Sequence, residues 1–418
     1  MECGSEIVRR WTDFDRLEEV VVGLADDACF PPHEPACEAE FNDRHVKYGT
    51  SMSHNFSEYL PWPTGPKLKR FTDAANEQLD NLADVLAGEG VIVRRPDKSL
   101  IQMNTKTSSP DWRMLNQYCV VCPRDVVMTI GNEIVEATMS KRSRFWEFRP
   151  FRPLIRDYFD RDPRAQWTAA PKPLMRDESY NLDFWKVTEE ERCKRMVDDY
   201  WYCTGESEVF FDAADCNLIG DIMFVQHSMT TNVSGIRWLK RHFEPKGIEV
   251  RALHFPYDLY PSHMDCTFVS VRPGLMLTNP DRPPVPDEVK IFKQNDWRLI
   301  DVPRYSEREE HPVFCQSSRW LSMNVLSISP EKIIVEEGEV AMVKFLEEQG
   351  FDVIPVPFRS VFEFGGSLHC STWDIRRAGG KRCFFSEREG CAADVGLDRV
   401  ISRSIGQNIG SYANGKGG

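Results

Sequence analysis

Long apolar runs are missing from this chain of 418 residues. No stretch approaches the roughly 20 residues that cross a bilayer, and the start, Met1-Glu2-Cys3-Gly4-Ser5-Glu6, lacks the apolar core of a secretory signal. A membrane anchor and an exported product are therefore not expected. Positive charge is also short: 52 lysines and arginines face 65 aspartates and glutamates, a net −13 at pH 7. That balance opposes phosphate backbones and anionic lipid, so the expected partners are small molecules or proteins, not nucleic acid or a membrane. A disulfide framework is absent as well. The cysteine count of 13 is odd and irregularly spaced, so at least one thiol has no partner within the chain. This suits a reducing compartment, and the cytoplasm is the expected location. Zinc spacing is lacking too. Cys119-Val120-Val121-Cys122 has no second such pair and no histidine pair to complete it, and it runs into the apolar Val126-Val127-Met128. It reads as two ordinary buried thiols, and no metal is expected.

What is present is a folded globular composition, 41% hydrophobic with 11 tryptophans, in a chain long enough for one large core or two ordinary ones. Its organisation is repetitive. Cys266–Val271 reads as a strand, Arg272-Pro273-Gly274 as a turn and Leu275-Met276-Leu277 as a second strand. A helical stretch near Glu288 to Asn295 and a third strand, Arg298 to Val302, follow. Met323–Ile328, Ile333-Ile334-Val335, the helix Val340–Leu346 and the strand Phe351–Val356 repeat that order. Looser copies start at Glu19, with the helix Lys67 to Ala87 and the strand Val91 to Val93; at Val126; and at Asp221, with the helix Ile236 to Phe243 and the strand Ile248 to Leu253. The sum is five strand-strand-helix-strand units of roughly 40 residues at their shortest, which calls for stacked or ring-closed modules and not a doubly wound sheet.

A ring of such modules gathers residues that are scattered in sequence. Cys370, in Gly365-Gly366-Ser367-Leu368-His369-Cys370, follows small residues that let the chain turn tightly and expose a sulfur. A thiolate is a strong nucleophile when a base or a depressed pKa supports it. His263 precedes one unit, Asp215, in Phe211-Asp212-Ala213-Ala214-Asp215, precedes another, and Cys370 follows the closing strand of the last, so all three would face one axis. With nine histidines and 13 cysteines, spacing alone leaves many other triples open. His369 is expected to play a supporting role, because neighbours in extended chain point to opposite faces. His242 and His254 read as packing or surface residues.

In order along the chain, several segments resemble the glycine amidinotransferase family: Leu17-Glu18-Glu19-Val20-Val21-Val22-Gly23, Pro123-Arg124-Asp125, Gly131-Asn132-Glu133-Ile134, Arg142-Ser143-Arg144-Phe145, Ala170-Pro171-Lys172-Pro173, Phe211–Asp215, His263-Met264-Asp265, Asn279-Pro280-Asp281-Arg282-Pro283, Ser317–Asn324, and Cys370 with Asp374-Ile375-Arg376-Arg377. The likeness spans Asp13 to Arg377. It implies a five-bladed α/β propeller of ββαβ-like modules, here a single domain over 1–403 with a flexible tail, 404–418. It also implies transfer of the amidino group of L-arginine to an amine through an amidino-cysteine, without a cofactor. Cys370 would be the nucleophile, His263 the acid and base, and Asp215 the carboxylate that orients His263. Asp125 and Asp265 would hold the guanidinium edges, and Arg282, Ser317 and Ser318 the α-carboxylate of the donor. The resemblance is compatible with a homodimer, with no interface legible.

The match departs in two places. Tyr260 and Ser262 stand where glycine-using members carry asparagine and methionine, as in members of the cylindrospermopsin and saxitoxin pathways. This leans towards an acceptor amine larger than glycine, of saxitoxin type, with glycine as the alternative. Cys119 stands where vertebrate-like members carry a tyrosine near the donor. A hydrolase on the same fold, giving citrulline, and a non-catalytic arginine-binding protein are the competing readings. The presence of Cys370, His263 and Asp215 together argues against the second, because binding needs no nucleophile.

Overall fold

In three of the five modules two short runs rich in buried apolar residues flank a two-residue turn and close into an antiparallel hairpin. The computed structural model describes residues 6–32, 34–36, 65–255, 263–306 and 318–388. Tyr260, Ser262, Ser317 and the tail 404–418 lie outside these residues. The hairpin Cys216–Ile219 with Ile222–His227 shows the pattern: Ile219 pairs with Ile222 across Gly220-Asp221. Gly220 sits at φ +67, the left-handed region that such tight hairpin turns require.

After each hairpin the chain returns through a helix and adds a third strand parallel to the second. In this module the helix is Val233–Phe243 and the strand Glu249–His254. The Asn232 Oδ1 accepts from the Gly235 backbone N–H at 2.8 Å and caps the helix start. Ile236, Leu239 and Phe243 fall on one buried face, each contributing about 1.5–3 kcal/mol of burial.

Five three-stranded sheets of this kind form the protein. Two others run Phe268–Arg272, Leu275–Thr278, Arg298–Asp301, and Leu326–Ser327, Lys332–Glu336, Asp352–Val356. The fourth is Val127–Ile130, Glu133–Glu136, Gln166–Ala169. The fifth joins the two ends of the chain: Thr372–Arg377 pairs antiparallel with Leu17–Val22, which pairs parallel with Ile92–Arg94. The ring is thus closed by pairing of terminal segments, and the five-module expectation holds.

Two details differ from the sequence reading. Cys216–Ile219, not Asp221 onward, opens its module. Thr372–Arg377 is the first strand of the N-terminal module, so Cys370 precedes a blade instead of merely trailing the last one. The change brings order to the site. Just before the first strand of each sheet lies a tight turn or helical turn: Pro123–Val126, Ala213–Asp215, Met264–Cys266, Arg319–Met323 and 367–371. These five turns occupy equivalent places in their blades, and they carry the chemistry.

Candidate active site

Cys370 ends a turn in which the Ser371 N–H donates to the Ser367 carbonyl at 2.9 Å and the Thr372 N–H to His369 at 3.1 Å. Gly366 is required there by contact: a β-carbon on it would lie 2.5 Å from Cys122 Sγ and 2.7 Å from Cys370 Cβ. A Gly366→Ala variant must push the nucleophile aside. Its rate of thiol modification or amidino transfer is expected to fall by about 100-fold, with the fold retained by circular dichroism.

Cys370 is 2% exposed, and its sulfur sits 3.1 Å from Asp265 Oδ2. Two anions cannot share that spacing, so one proton lies between them. Hydrogen bonds from the thiols of Cys122 and Cys266 draw the Cys370 pKa well below its ordinary value, against burial and the charge of Asp125. Burial, with the charge on Cys370, raises Asp265. The ionised sulfur facing a protonated Asp265 is the arrangement both directions favour.

His263 stands across the site. Its Nε2 is 3.2 Å from Asp212 Oδ2 and its Nδ1 3.5 Å from Asp125 Oδ1. Burial would discharge this imidazole, but Asp125, the hydrogen bond to Asp212 and the charge of Asp215 outweigh it and hold the pKa well above 6.5. The group is therefore a cationic proton donor near neutrality.

The carboxylate in contact with His263 is thus Asp212, and the expected Asp215 contact is not formed. Asp215 Oδ2 instead accepts from the hydroxyls of Ser228, Thr230 and Thr231 at 2.8, 2.9 and 2.6 Å. It acts on His263 through charge alone. The two aspartates are three residues apart around a single 3₁₀ turn, where side chains eclipse, so the motif could not say which would reach the ring.

Asp125 is fixed by Arg144, whose Nη1 donates to Oδ2 at 2.8 Å while its Nε donates to Glu147 at 2.8 Å. His369 Nδ1 is 2.9 Å from Asp265 Oδ2, and its ring supports the carboxylate rather than the sulfur. Arg282 is buried beside Thr267, to which its guanidinium donates. Ser318 Oγ accepts from the Trp320 N–H at 3.2 Å, capping its 3₁₀ turn. Cys119 is buried and near the Phe364 carbonyl, with burial pushing its thiol far up, so it is chemically quiet. Cys122 is buried as expected, and its interaction with Cys370, together with burial, holds its thiol protonated, well above its ordinary pKa. Cys266 and Asn324, inside quoted segments but not singled out, also touch the sulfur or its turn. No group of three or more potential ligands for a metal ion occurs among the described residues.

Comparison with known proteins gives the family. No protein-family model matches the chain. The mitochondrial glycine amidinotransferase of Xenopus tropicalis is 38% identical over 376 residues, covering 90% of this chain and 84% of the relative. The L-arginine:L-lysine amidinotransferase of Pseudomonas savastanoi pv. phaseolicola is 34% identical over 369 residues, covering 88% of this chain and 94% of that protein. Among solved structures, SxtG, an amidinotransferase from Microseira wollei in the saxitoxin biosynthetic pathway, superposes with a TM-score of 0.78 at 32% identity. That match covers 90% of this chain and 99% of SxtG. The inosamine-phosphate amidinotransferase StrB1 of Streptomyces griseus gives 0.74 at 28% identity, over 91% and 100% of the two chains. A five-sheet propeller, a buried thiol facing an acid-ringed imidazole, and this likeness along most of its length agree: the chain belongs to the amidinotransferase family.

Proposed function

We propose that the enzyme takes the amidino group of L-arginine onto Cys370, releases L-ornithine, and passes the group to a primary amine. The observation that carries this is a set of buried carboxylate oxygens. Oδ1 of Asp125 and Oδ1 of Asp265 accept no hydrogen bond from any described residue, and both carboxylates flank the sulfur. Orphaned buried acceptors next to a nucleophile call for a cationic donor, and a planar guanidinium offers N–H groups on its edges.

The chemistry follows from the placement. The Cys370 thiolate attacks the guanidinium carbon and a C–S bond forms. The bond from that carbon to the departing nitrogen breaks as His263 delivers a proton to it. His263, now neutral, takes a proton from the acceptor amine, which attacks the amidino carbon, and the C–S bond breaks to restore the thiolate. Asp212 keeps the ring oriented through both half-reactions, and Asp125 and Asp265 hold the guanidinium. Arg282 and Ser318, with Ser317, are assigned to the α-carboxylate of the donor.

An acceptor larger than glycine is the favoured reading, supported by Tyr260 and Ser262 in the sequence and by the likeness to SxtG; glycine is the alternative. The proposed location is the cytoplasm, supported by the buried thiols of Cys29, Cys119, Cys122, Cys216, Cys266 and Cys370, none of them in a disulfide. No helix among those residues is long and apolar enough to cross a membrane. A homodimer is carried by the resemblance and is checked by sedimentation.

Intact-protein mass spectrometry after incubation with L-arginine alone tests the first half-reaction. A one-to-one amidino adduct with ornithine released, both lost in Cys370→Ala, is the expected result, followed by an acceptor screen from glycine upward. Steady citrulline without an adduct would assign a hydrolase instead, and arginine binding with neither product would assign a binding protein.

A further inference from the structure

The nucleophile has an electrostatic problem. It must carry a negative charge, yet burial and the charge of Asp125 both oppose its ionisation. The imidazolium of His263 is the weakest of the main influences on it. Before arginine arrives, donors packed around the sulfur must hold the thiolate, and the thiols of Cys122 and Cys266 are two of them.

Asn324 is placed to do so. It is buried at the end of the 3₁₀ turn Arg319–Met323. Its Oδ1 accepts the backbone N–H of His369 at 3.0 Å and of Cys370 at 3.1 Å. Its Nδ2 donates to Cys370 Sγ at 3.2 Å, to Cys266 Sγ at 3.5 Å and to the Asp265 carbonyl at 3.2 Å. The amide cannot be turned over. Two backbone donors demand the oxygen on their side, which forces the NH₂ group towards the sulfur.

We propose that Asn324 is a catalytic residue of this amidinotransferase, clamping the Cys370 turn through Oδ1 and presenting Nδ2 to the sulfur as the neutral donor that sustains the thiolate. The inference rests on Cys370 being the nucleophile. A neutral donor suits the task better than a lysine would. It stabilises the anion without repelling the guanidinium that must come within bonding distance, and without pairing off Asp125 or Asp265. The thiols of Cys266 and Cys122 complete the donor set around the sulfur.

Two variants separate this role from a purely structural clamp. Asn324→Asp is isosteric and keeps an oxygen for the two backbone N–H groups, but it sets a carboxylate against the sulfur. Asn324→Ala removes both functions. The readout is the pH dependence of iodoacetamide alkylation at Cys370, followed by peptide mapping. A thiolate donor predicts that the ionised fraction near neutral pH falls about tenfold or more in Asn324→Ala and further in Asn324→Asp. A structural clamp predicts that Asn324→Ala slows alkylation at every pH without moving its midpoint, because no donor to the anion has been lost. If Asn324→Ala does not fold, the isosteric variant still overturns the proposal when its alkylation midpoint is parental. Parent protein that forms no amidino adduct on Cys370 would remove the nucleophile itself. An adduct in the parent together with parental alkylation in Asn324→Asp would remove only the role of Asn324.

Discussion

Replacing Asp212 with asparagine should lower kcat for amidino transfer by about 10³- to 10⁴-fold, the scale seen when the carboxylate that orients a catalytic imidazole is neutralised. Asp212 Oδ2 is the acceptor 3.2 Å from His263 Nε2, and the residue is 1% exposed, so no water can substitute for it. Asp215→Asn should behave differently. Asp215 does not touch the ring, so kcat should fall by only about tenfold. The alkaline limb of kcat/KM should move to lower pH, because one of the charges holding His263 protonated is gone.

The stability of the two variants should diverge as well. Burial pushes Asp215 from 3.8 up to about 6. Its folded pKa lies above the unfolded one, so the folded state binds the proton more tightly. Stability is therefore lost as pH rises from about 4 through about 6, and the loss is complete near neutrality. Asparagine carries no such penalty, and its oxygen can still accept from the three hydroxyls. Asp215→Asn should be more stable than the parent by about 1–3 kcal/mol at neutral pH, and by nothing below about pH 4, in urea unfolding. A larger kcat loss in Asp215→Asn than in Asp212→Asn would return the orienting role to Asp215.

The sequence could show that a histidine and this aspartate motif belong together, because the repeat sets each before a unit, whereas it sets Cys370 after the last one. Asp212 and Asp215 share a turn of three residues, and which one reaches His263 depends on the docking of Met264–Cys266 against that turn. That is a tertiary distance with no local signal. The donor set around the sulfur was hidden for a related reason. Cys122, Cys266 and Asn324 come from three blades, and thiols ahead of a strand look alike whether they line a core or a nucleophile. The modules were legible because their period is long and their turns hold glycines such as Gly220 and Gly274, both at positive φ. The ring closure was not. Thr372–Arg377 lies beyond the last unit legible in the repeat, and its partner Leu17–Val22 is more than 300 residues away.

That closing strand carries the last large effect. Asp374 is fully buried, accepts from Arg124 Nη2 at 2.7 Å and from Arg377 Nε at 2.7 Å, and lies 3.8 Å from Arg10 Nε. Burial alone would raise its pKa, but Arg124, Arg377 and Arg10 hold it well below the usual carboxylate range. Asp374→Ala would take the shared carboxylate from three buried guanidinium groups, leaving Asp13 as the remaining carboxylate for Arg10 and Arg124. The expected loss is about 3–5 kcal/mol in urea unfolding, the cost of removing one partner from a buried ion pair. In the parent, this contribution is present above the ordinary carboxylate range and disappears as pH falls through the depressed pKa of Asp374, so acid should narrow the gap between the two proteins. Activity should fail before the fold does. Arg124 Nε also donates to the His369 carbonyl at 2.9 Å, and His369 Nδ1 pairs with Asp265, which faces the sulfur of Cys370 at 3.1 Å. Releasing Arg124 loosens that chain of contacts from its base. In mild urea, Asp374→Ala should lose the arginine adduct while retaining its sheet signal. Coincident loss of both would make Asp374 a staple of the ring and not a support of the site.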